Sequence, residues 1–297
     1  VKNIFIGLVF SILWASASVA TKFGVQSASP LILANVRFFI AGILLLGFSY
    51  TFGKDASYRL PNRKEFAQLG LFGFLNTALY LGLYVYAMKY TAAGIGSLAV
   101  SVNPLIIVLL SAWWLGRKPA GAEWLGIGLG MAGVAIATYP LLQNSHTTIA
   151  GIILLLISMI VVSAASVYYA TVPWKLPNLL INGWQVMLGG IFLLPVTLIF
   201  GDFSVTRWDG QFWAAALWLS LAVSIVGLIC WFYLLRLDTV RASLWLFLCP
   251  LFGFFFAWWL MDEPVTVYTV VGTLFVIVGL YAGQRKKLSA KRIDNKK

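Results

Sequence analysis

Long apolar blocks alternate with short polar breaks along this chain. A helix needs about 20 apolar residues to cross the hydrocarbon core. Ten blocks reach that length: residues 3–23, 31–52, 66–88, 91–115, 122–141, 149–170, 178–200, 211–235, 241–261 and 265–284. The longest breaks, GKDASYRLPNRKE and GDFSVTRWDG, leave no room for a separate soluble domain. The pattern predicts an all-α integral membrane protein, ten transmembrane helices in one bundle.

The first block has a Lys near its start and small residues at Ser18-Val19-Ala20, which imitates a secretory signal. An internal repeat counts against that reading. Shifting the chain by 146–148 residues places Ser18-Val19 on Ser166-Val167, Gly42 on Gly190, Ser97-Leu98 on Ser243-Leu244, Pro104-Leu105 on Pro250-Leu251 and Gly133 on Gly279. The repeat divides the chain into five-helix units at residues 1–145 and 146–285, with a basic tail at 286–297. Five is odd, so the second unit must enter the membrane inverted, an arrangement that recurs in secondary transporters.

Charge bears on this topology. WWLGRKP at 113–119 and WWLMDEP at 258–264 are related by the repeat but opposite in charge. With both termini in the cytoplasm, 17 of the 21 Lys and Arg fall on the inner side, and only Lys22, Arg37, Lys89 and Arg207 on the outer. The positive-inside rule favours that N-in, C-in arrangement. The charge flip in the two heptapeptides then marks orientation.

Composition removes other classes. The chain is 61% hydrophobic and 10% charged, too little charge to cover a soluble domain of 297 residues. Its net charge of +12 lies in short breaks and the tail, so the expected partner is a bilayer with anionic lipids at its cytoplasmic face, and no nucleic acid. Cys230 and Cys249 stand inside apolar blocks without metal spacing and read as packing residues. His146 lies in a polar loop, and no nucleophile, hydrolase or phosphate-loop motif occurs. No cofactor, metal site or catalytic residue is expected. The pattern is compatible with a monomer or a homodimer.

WAS early in the first helix, a central Pro in the fourth and ninth, and a Trp-rich stretch closed by Asp-Glu-Pro together resemble the drug/metabolite transporter superfamily. Within it the ten-helix EamA-like metabolite exporters fit best, over the whole chain. The basic LGRKP departs from relatives that carry an acidic residue there. The resemblance implies an inner-membrane, multi-pass carrier that works by alternating access and often exports amino acids. Relatives in plastids and the Golgi move sugar phosphates or nucleotide sugars.

Polar groups inside hydrocarbon cost free energy unless they face a partner or a wet cavity. Ser11, Trp14, Ser18 and Lys22 share one face of the first helix, which reads either as a cavity wall or as small-residue packing. Asn76, Tyr80 and Tyr84 form a second stripe, again cavity lining or interhelical bonding. Arg37 lies about 9–10 Å into the second helix at 1.5 Å per residue. It either snorkels outward or offers its guanidinium to a carboxylate or phosphate. Its repeat counterpart is Gln185. Pro104 and Pro250 sit mid-helix at matching positions, as paired hinges or as static kinks.

Ser97, Ser101, Ser243 and Trp245 lie close enough to those prolines to meet a substrate, and Ser166, Tyr169 and Trp231 are weaker candidates. All nine acidic residues fall in loops, helix ends or the tail. Without a buried carboxylate, proton antiport of a cationic drug is disfavoured. A neutral, zwitterionic or anionic metabolite is expected, an amino acid or relative moved outward. The alternatives are a sugar-phosphate or nucleotide exchanger, or a non-transporting scaffold or lipid-handling protein.

Overall fold

The computed structural model of the protein describes residues 2–91, 99–116, 118–143, 148–261 and 266–284. All regular structure among them is helical: α1 (Lys2–Ser27), α2 (Pro30–Phe52), α3 (Arg63–Ala87), α4 (Asn103–Trp114), α5 (Gly121–Gln143), α6 (Ile149–Thr171), α7 (Asn178–Phe200), α8 (Gly210–Leu237), α9 (Thr239–Leu260) and α10 (Val267–Gln284). Among the described residues, α1, α2, α3, α6, α7, α8 and α9 are long and apolar enough to cross a membrane. The helix in Asn103–Trp114 and the stretch Val270–Gly283 are shorter apolar pieces. His146, Arg117, Ser97, the Asp262-Glu263 pair and the tail 286–297 lie outside the described residues.

Helix ends follow the apolar blocks closely except at α4. There a turn at Ser101-Val102 precedes the helix, and Pro104 falls in its first turn. That position has no N–H bond to lose, so the kink expected at Pro104 is instead a helix start. Pro250 lies three residues beyond a 3₁₀ turn at Trp245–Phe247 inside α9. Both prolines therefore follow a break in regular α geometry. A second pair of irregularities was not predicted. Phe74–Leu79 of α3 and Leu219–Gly227 of α8 are π-helical, and the repeat offset places them on each other.

The packing has a two-fold pattern. α1 packs on α8 and α9, while α6 packs on α3 and α4. α2 touches α8 as α7 touches α3, and the pairs α2–α7, α4–α9 and α5–α10 each join related helices. Exchanging every helix for the one five places along thus maps these contacts onto themselves.

Small residues allow this closeness. A Cβ on Gly73 would lie 2.5 Å from the Gln185 carbonyl oxygen, and one on Gly189 would lie 2.4 Å from Thr77 Cβ. Between α5 and α10, a Cβ on Gly126 would lie 2.7 Å from the Gly279 oxygen, and one on Gly133 would lie 2.5 Å from the Gly272 oxygen. Backbone meets backbone there, which is how helices associate when apolar lipid supplies no hydrophobic drive. Hydroxyls are satisfied mostly within their own helix. Ser18 donates to Ala15 O, Ser166 to Val162 O and Ser243 to Val240 O, at 2.9, 2.8 and 2.7 Å.

Acidic residues cap helices at the ends of the bundle. Asn62 and Glu65 form a reciprocal capping box, and Arg59 adds two bonds of 2.7 Å to Glu65. Asp209 accepts from Phe212 N at 2.9 Å and from the Ser27 hydroxyl at 3.1 Å. The bonds Arg207 N to Ser27 O (2.7 Å) and Gln211 Nε2 to Phe23 O (2.8 Å) complete a latch from the α7–α8 loop and the first turn of α8 to the end of α1.

The Phe212 N–H, helped by the Ser27 hydroxyl and Arg207, holds the Asp209 carboxyl below the usual carboxylate range against a burial penalty. The folded state prefers the ionised form. Its stabilising contribution is complete above the ordinary carboxylate pKa and fades as pH falls through the lowered folded value. An Asp209→Ala variant should melt below the parent at pH 7, with the gap narrowing below about pH 4. A gap that widens on acidification would contradict the latch.

Gly126→Ala should cost about 1–3 kcal/mol by overpacking. Gly128→Ala, whose Cβ would have no neighbour within 4 Å, should be neutral or up to about 1 kcal/mol stabilising. Unfolding midpoints of the two variants in one detergent check the contrast, and equal shifts would contradict close α5–α10 packing.

Candidate functional site: a central cavity around Arg37

A cavity of about 30 Å³ lies between the two halves, room for roughly a water or two. α1 contributes Trp14, Ala15, Ala17, Ser18 and Thr21 to its wall, α2 contributes Arg37, and α3 contributes Tyr80, Leu81, Tyr84 and Val85. Val100 closes it beside the start of α4, Val223 from α8 and Cys249 from α9. The space is too small for a metabolite.

Helical spacing explains why these side chains converge. Trp14, Ser18 and Thr21 recur at three and four residues, as do Tyr80 and Tyr84, so each set stands on one stripe. The Tyr80 and Tyr84 rings lie 6.1 Å apart, and Phe10 props Trp14 at 5.4 Å. Apart from Arg37, the lining is aromatic, aliphatic or weakly polar.

Arg37 is 4% exposed, covered by protein on nearly every side. Its Nε donates to Ser224 Oγ at 2.8 Å, on the π-helical part of α8. The Ser220 hydroxyl donates to the Arg37 carbonyl at 3.1 Å. Asn182 Nδ2 donates to the Ser224 carbonyl at 2.8 Å, and Gln185 Nε2 donates to Asn182 Oδ1 at 3.0 Å. Gln185 Oε1 then accepts from Thr77 at 2.6 Å and Asn76 at 3.4 Å, on the π-helical part of α3. One buried chain of hydrogen bonds thus crosses α2, α8, α7 and α3. The widened turns of a π-helix occur often at functional sites.

The two ends of this chain are counterparts. Arg37 and Gln185 stand at the same place in the two halves, and each reaches the π segment of the third helix of the other half. Charge breaks the symmetry, since one position is a guanidinium and the other an amide. A separate bond, from Asn35 to Thr197, ties α2 to α7.

The structure brings Trp14, Ser18, Arg37, Tyr80 and Tyr84 to one cavity. It places Asn76 and Gln185 in the hydrogen-bond chain behind it. Trp231 stacks on Phe10 at 4.8 Å, and Trp245 packs on Gly7 while its carbonyl accepts from Ser11 at 2.8 Å. Ser101 and Ser166 are buried, and neither lines the cavity.

Tyr169 stands elsewhere. It borders a wider opening of about 560 Å³ at the end of α6 and α8, with Trp174, Arg236 and Asp238. Its hydroxyl accepts from Arg236 Nε at 3.0 Å and donates to Asn178 Oδ1 at 3.0 Å. Its ring joins Phe232, Trp174 and Phe72 at 4.7, 5.7 and 5.3 Å, an aromatic plug beside the opening.

Sequence reasoning passed over Asn182, Ser220, Ser224 and Cys249. A search for any polar residue inside an apolar block would have found the first three. Nothing in the sequence separates Cys249 from an ordinary packing thiol.

Ser224→Ala leaves the buried Arg37 Nε without its partner and should cost about 2 kcal/mol, the range for hydrogen bonds to charged groups. Ser243→Ala removes a hydroxyl bonded only within its own helix and should cost less. Comparing their unfolding midpoints checks this, and equal losses would argue against a structural Arg37–Ser224 bond.

The EamA-like transporter family matches over residues 1–139 and again over 149–282. An uncharacterized transporter of Archaeoglobus fulgidus is 26% identical over 93% of this chain and 95% of its own. The uncharacterized transporter YoaV of Bacillus subtilis is 23% identical over 94% and 96%. The uncharacterized inner membrane transporter YedA of Escherichia coli is 29% identical over 76% and 71%. A solved crystal structure 17% identical in sequence aligns with a TM-score of 0.81 over 98% of both chains, which establishes likeness of fold alone.

Proposed function

The chain belongs to the EamA-like transporter family and is a multi-pass membrane transporter, not an enzyme; on that premise we propose that it carries a small anionic or zwitterionic metabolite, an amino acid or a relative of one, out of the cell across the inner membrane. The carrier works by alternating access around the Arg37 cavity. Ten helices cross the membrane as two inverted five-helix units, with both termini in the cytoplasm. The exchange pattern of helix contacts supports the two-unit reading, because it is what a two-fold axis in the membrane plane produces. The inner-membrane location rests on the apolar helices and on the name of the YedA relative.

One observation carries the proposal: a buried guanidinium on the wall of a small cavity where the two units meet. A charge in the hydrocarbon region is costly and marks a substrate pathway by default. In this topology the latch of Ser27 and Asp209 closes the outer end. The opening beside Tyr169 and Arg236 faces the cytoplasm, with the aromatic plug between it and the cavity as the inner gate. Opening one end and then the other requires the π segments and the breaks before Pro104 and Pro250 to flex, which makes those prolines hinge elements.

No acidic residue lies mid-helix in the spanning blocks, so transport needs no proton-carrying carboxylate. Purified protein in liposomes should support counterflow of a small zwitterion or organic acid without a pH gradient. Arg37→Gln should lower that rate at least tenfold. Counterflow that stops when the proton gradient is collapsed would rule out the uncoupled mechanism, and an unchanged rate in the variant would remove Arg37 from the pathway.

A further inference from the structure

We infer that the Arg37 cavity takes a singly charged organic anion with an aromatic or apolar body, in preference to a zwitterion or a cation. The inference rests on the carrier reading and narrows it to one charge class. Three observations on the wall of the cavity carry it.

Arg37 uses Nε on Ser224, and among the described residues its two terminal nitrogens have no hydrogen-bond partner. The outer edge of the guanidinium is therefore the free edge, and it is the edge that forms two parallel bonds to a carboxylate or similar oxyanion.

No carboxylate balances the charge. Along any one helix and its cap, no acidic residue stands closer than eleven positions to a cavity residue, the nearest pair being Asp238 and Cys249. Eleven residues span about 16 Å of helix. Of the described acids, Glu65 is engaged with Arg59, Asp209 with Ser27 and Phe212, and Glu123 and Asp238 with Arg241, while Asp202 accepts from Ser204 in the α7–α8 loop and Asp55 lies in the α2–α3 loop. Residues 92–98 contain no acid, and Asp262 stands thirteen positions beyond Cys249. The wall thus carries one uncompensated positive charge.

Toward an ammonium group the rest of the wall offers neutral groups alone. The Ser18 hydroxyl donates to the Ala15 carbonyl at 2.9 Å, which leaves its oxygen a neutral acceptor. The rings of Trp14, Tyr80 and Tyr84, the tyrosine and Thr21 hydroxyls and the Cys249 thiol are likewise neutral, and the remaining lining is aliphatic. An ammonium brought beside Arg37 in a low-dielectric cavity is repelled by it, and ring faces and neutral acceptors attract it too weakly to offset a full like charge. A zwitterion places its ammonium within a few ångströms of its carboxylate, so it bears that repulsion in full. A monoanion neutralises the cavity and lays its body on the aromatic and aliphatic wall.

Three probes share one phenylethyl body and differ in charge at pH 7: 3-phenylpropionate (−1), phenylalanine (zwitterion) and phenethylamine (+1). Calorimetric titration of the full chain in detergent should show 3-phenylpropionate binding at least tenfold tighter than phenylalanine, and no saturable binding of phenethylamine. Arg37→Gln should weaken 3-phenylpropionate at least tenfold, while Arg37→Lys keeps saturable binding. If Arg37→Gln does not fold, the ranking in the parent chain and Arg37→Lys decides.

Phenylalanine or phenethylamine binding as tightly as 3-phenylpropionate, binding of none of the three, or Arg37→Gln binding 3-phenylpropionate as the parent does would each overturn the inference. Counterflow in liposomes separates it from the carrier reading. Selective 3-phenylpropionate binding without counterflow of any probe upholds the charge class and contradicts the carrier. Counterflow led by phenylalanine upholds the carrier and overturns the charge class.

Discussion

Hydrocarbon offers no hydrogen bonds, so each polar group drawn into the bundle must find its partner in protein. In this chain that constraint centres on Arg37. Its burial is tolerated because Ser224 receives Nε, Asn182 steadies the Ser224 carbonyl, and Gln185 links Asn182 to Thr77 and Asn76. Four helices from both halves are thereby held in register by one chain of bonds. Without it a guanidinium at that depth would destabilise the bundle or drag the end of α2 toward water.

Backbone geometry makes the chain possible. A regular α-helix keeps its carbonyls engaged along its own axis, whereas the π segments of α3 and α8 widen the turn and let side chains of α7 and α2 reach in. Gly73 and Gly189 bring α3 and α7 close enough for Gln185 to meet Asn76 and Thr77. The central cavity beside this network holds about a water or two.

Symmetry in the helix contacts contrasts with asymmetry in charge. Arg37 and Gln185 occupy equivalent places and make equivalent reaches, yet only one leaves a charged edge toward the cavity. The two ends differ as well. Polar bonds tie Ser27 and Phe23 to the α7–α8 region at one end, while the other opens onto Tyr169, Trp174 and Arg236. Two similar sets of helix contacts thus differ in a few side chains, which decide where the charge lies.

The sequence by itself determined the long helices α1, α2, α3, α6, α7, α8 and α9, because an apolar block of about 20 residues has one low-energy form in lipid; it missed the turn that shortens α4. It also determined the candidate stripes, Trp14 with Ser18 and Tyr80 with Tyr84, since 3.6-residue periodicity places them on one face. The repeat offset and the solitary Arg37 were equally legible. Only the tertiary structure decided where those faces point. Asn76, on the same stripe as Tyr80, turns to Gln185, and Tyr169 leaves the central cavity for an opening at the end of the bundle. It also placed the π turns, which one extra residue per turn creates without a polar signature, and chose Ser224 as the partner for a charge on a distant helix, with Asn182 on the Ser224 carbonyl. Periodicity describes a helix about its own axis. The rotation of that helix against its neighbours is set by contacts such as Gly73 on Gln185, between residues more than a hundred positions apart.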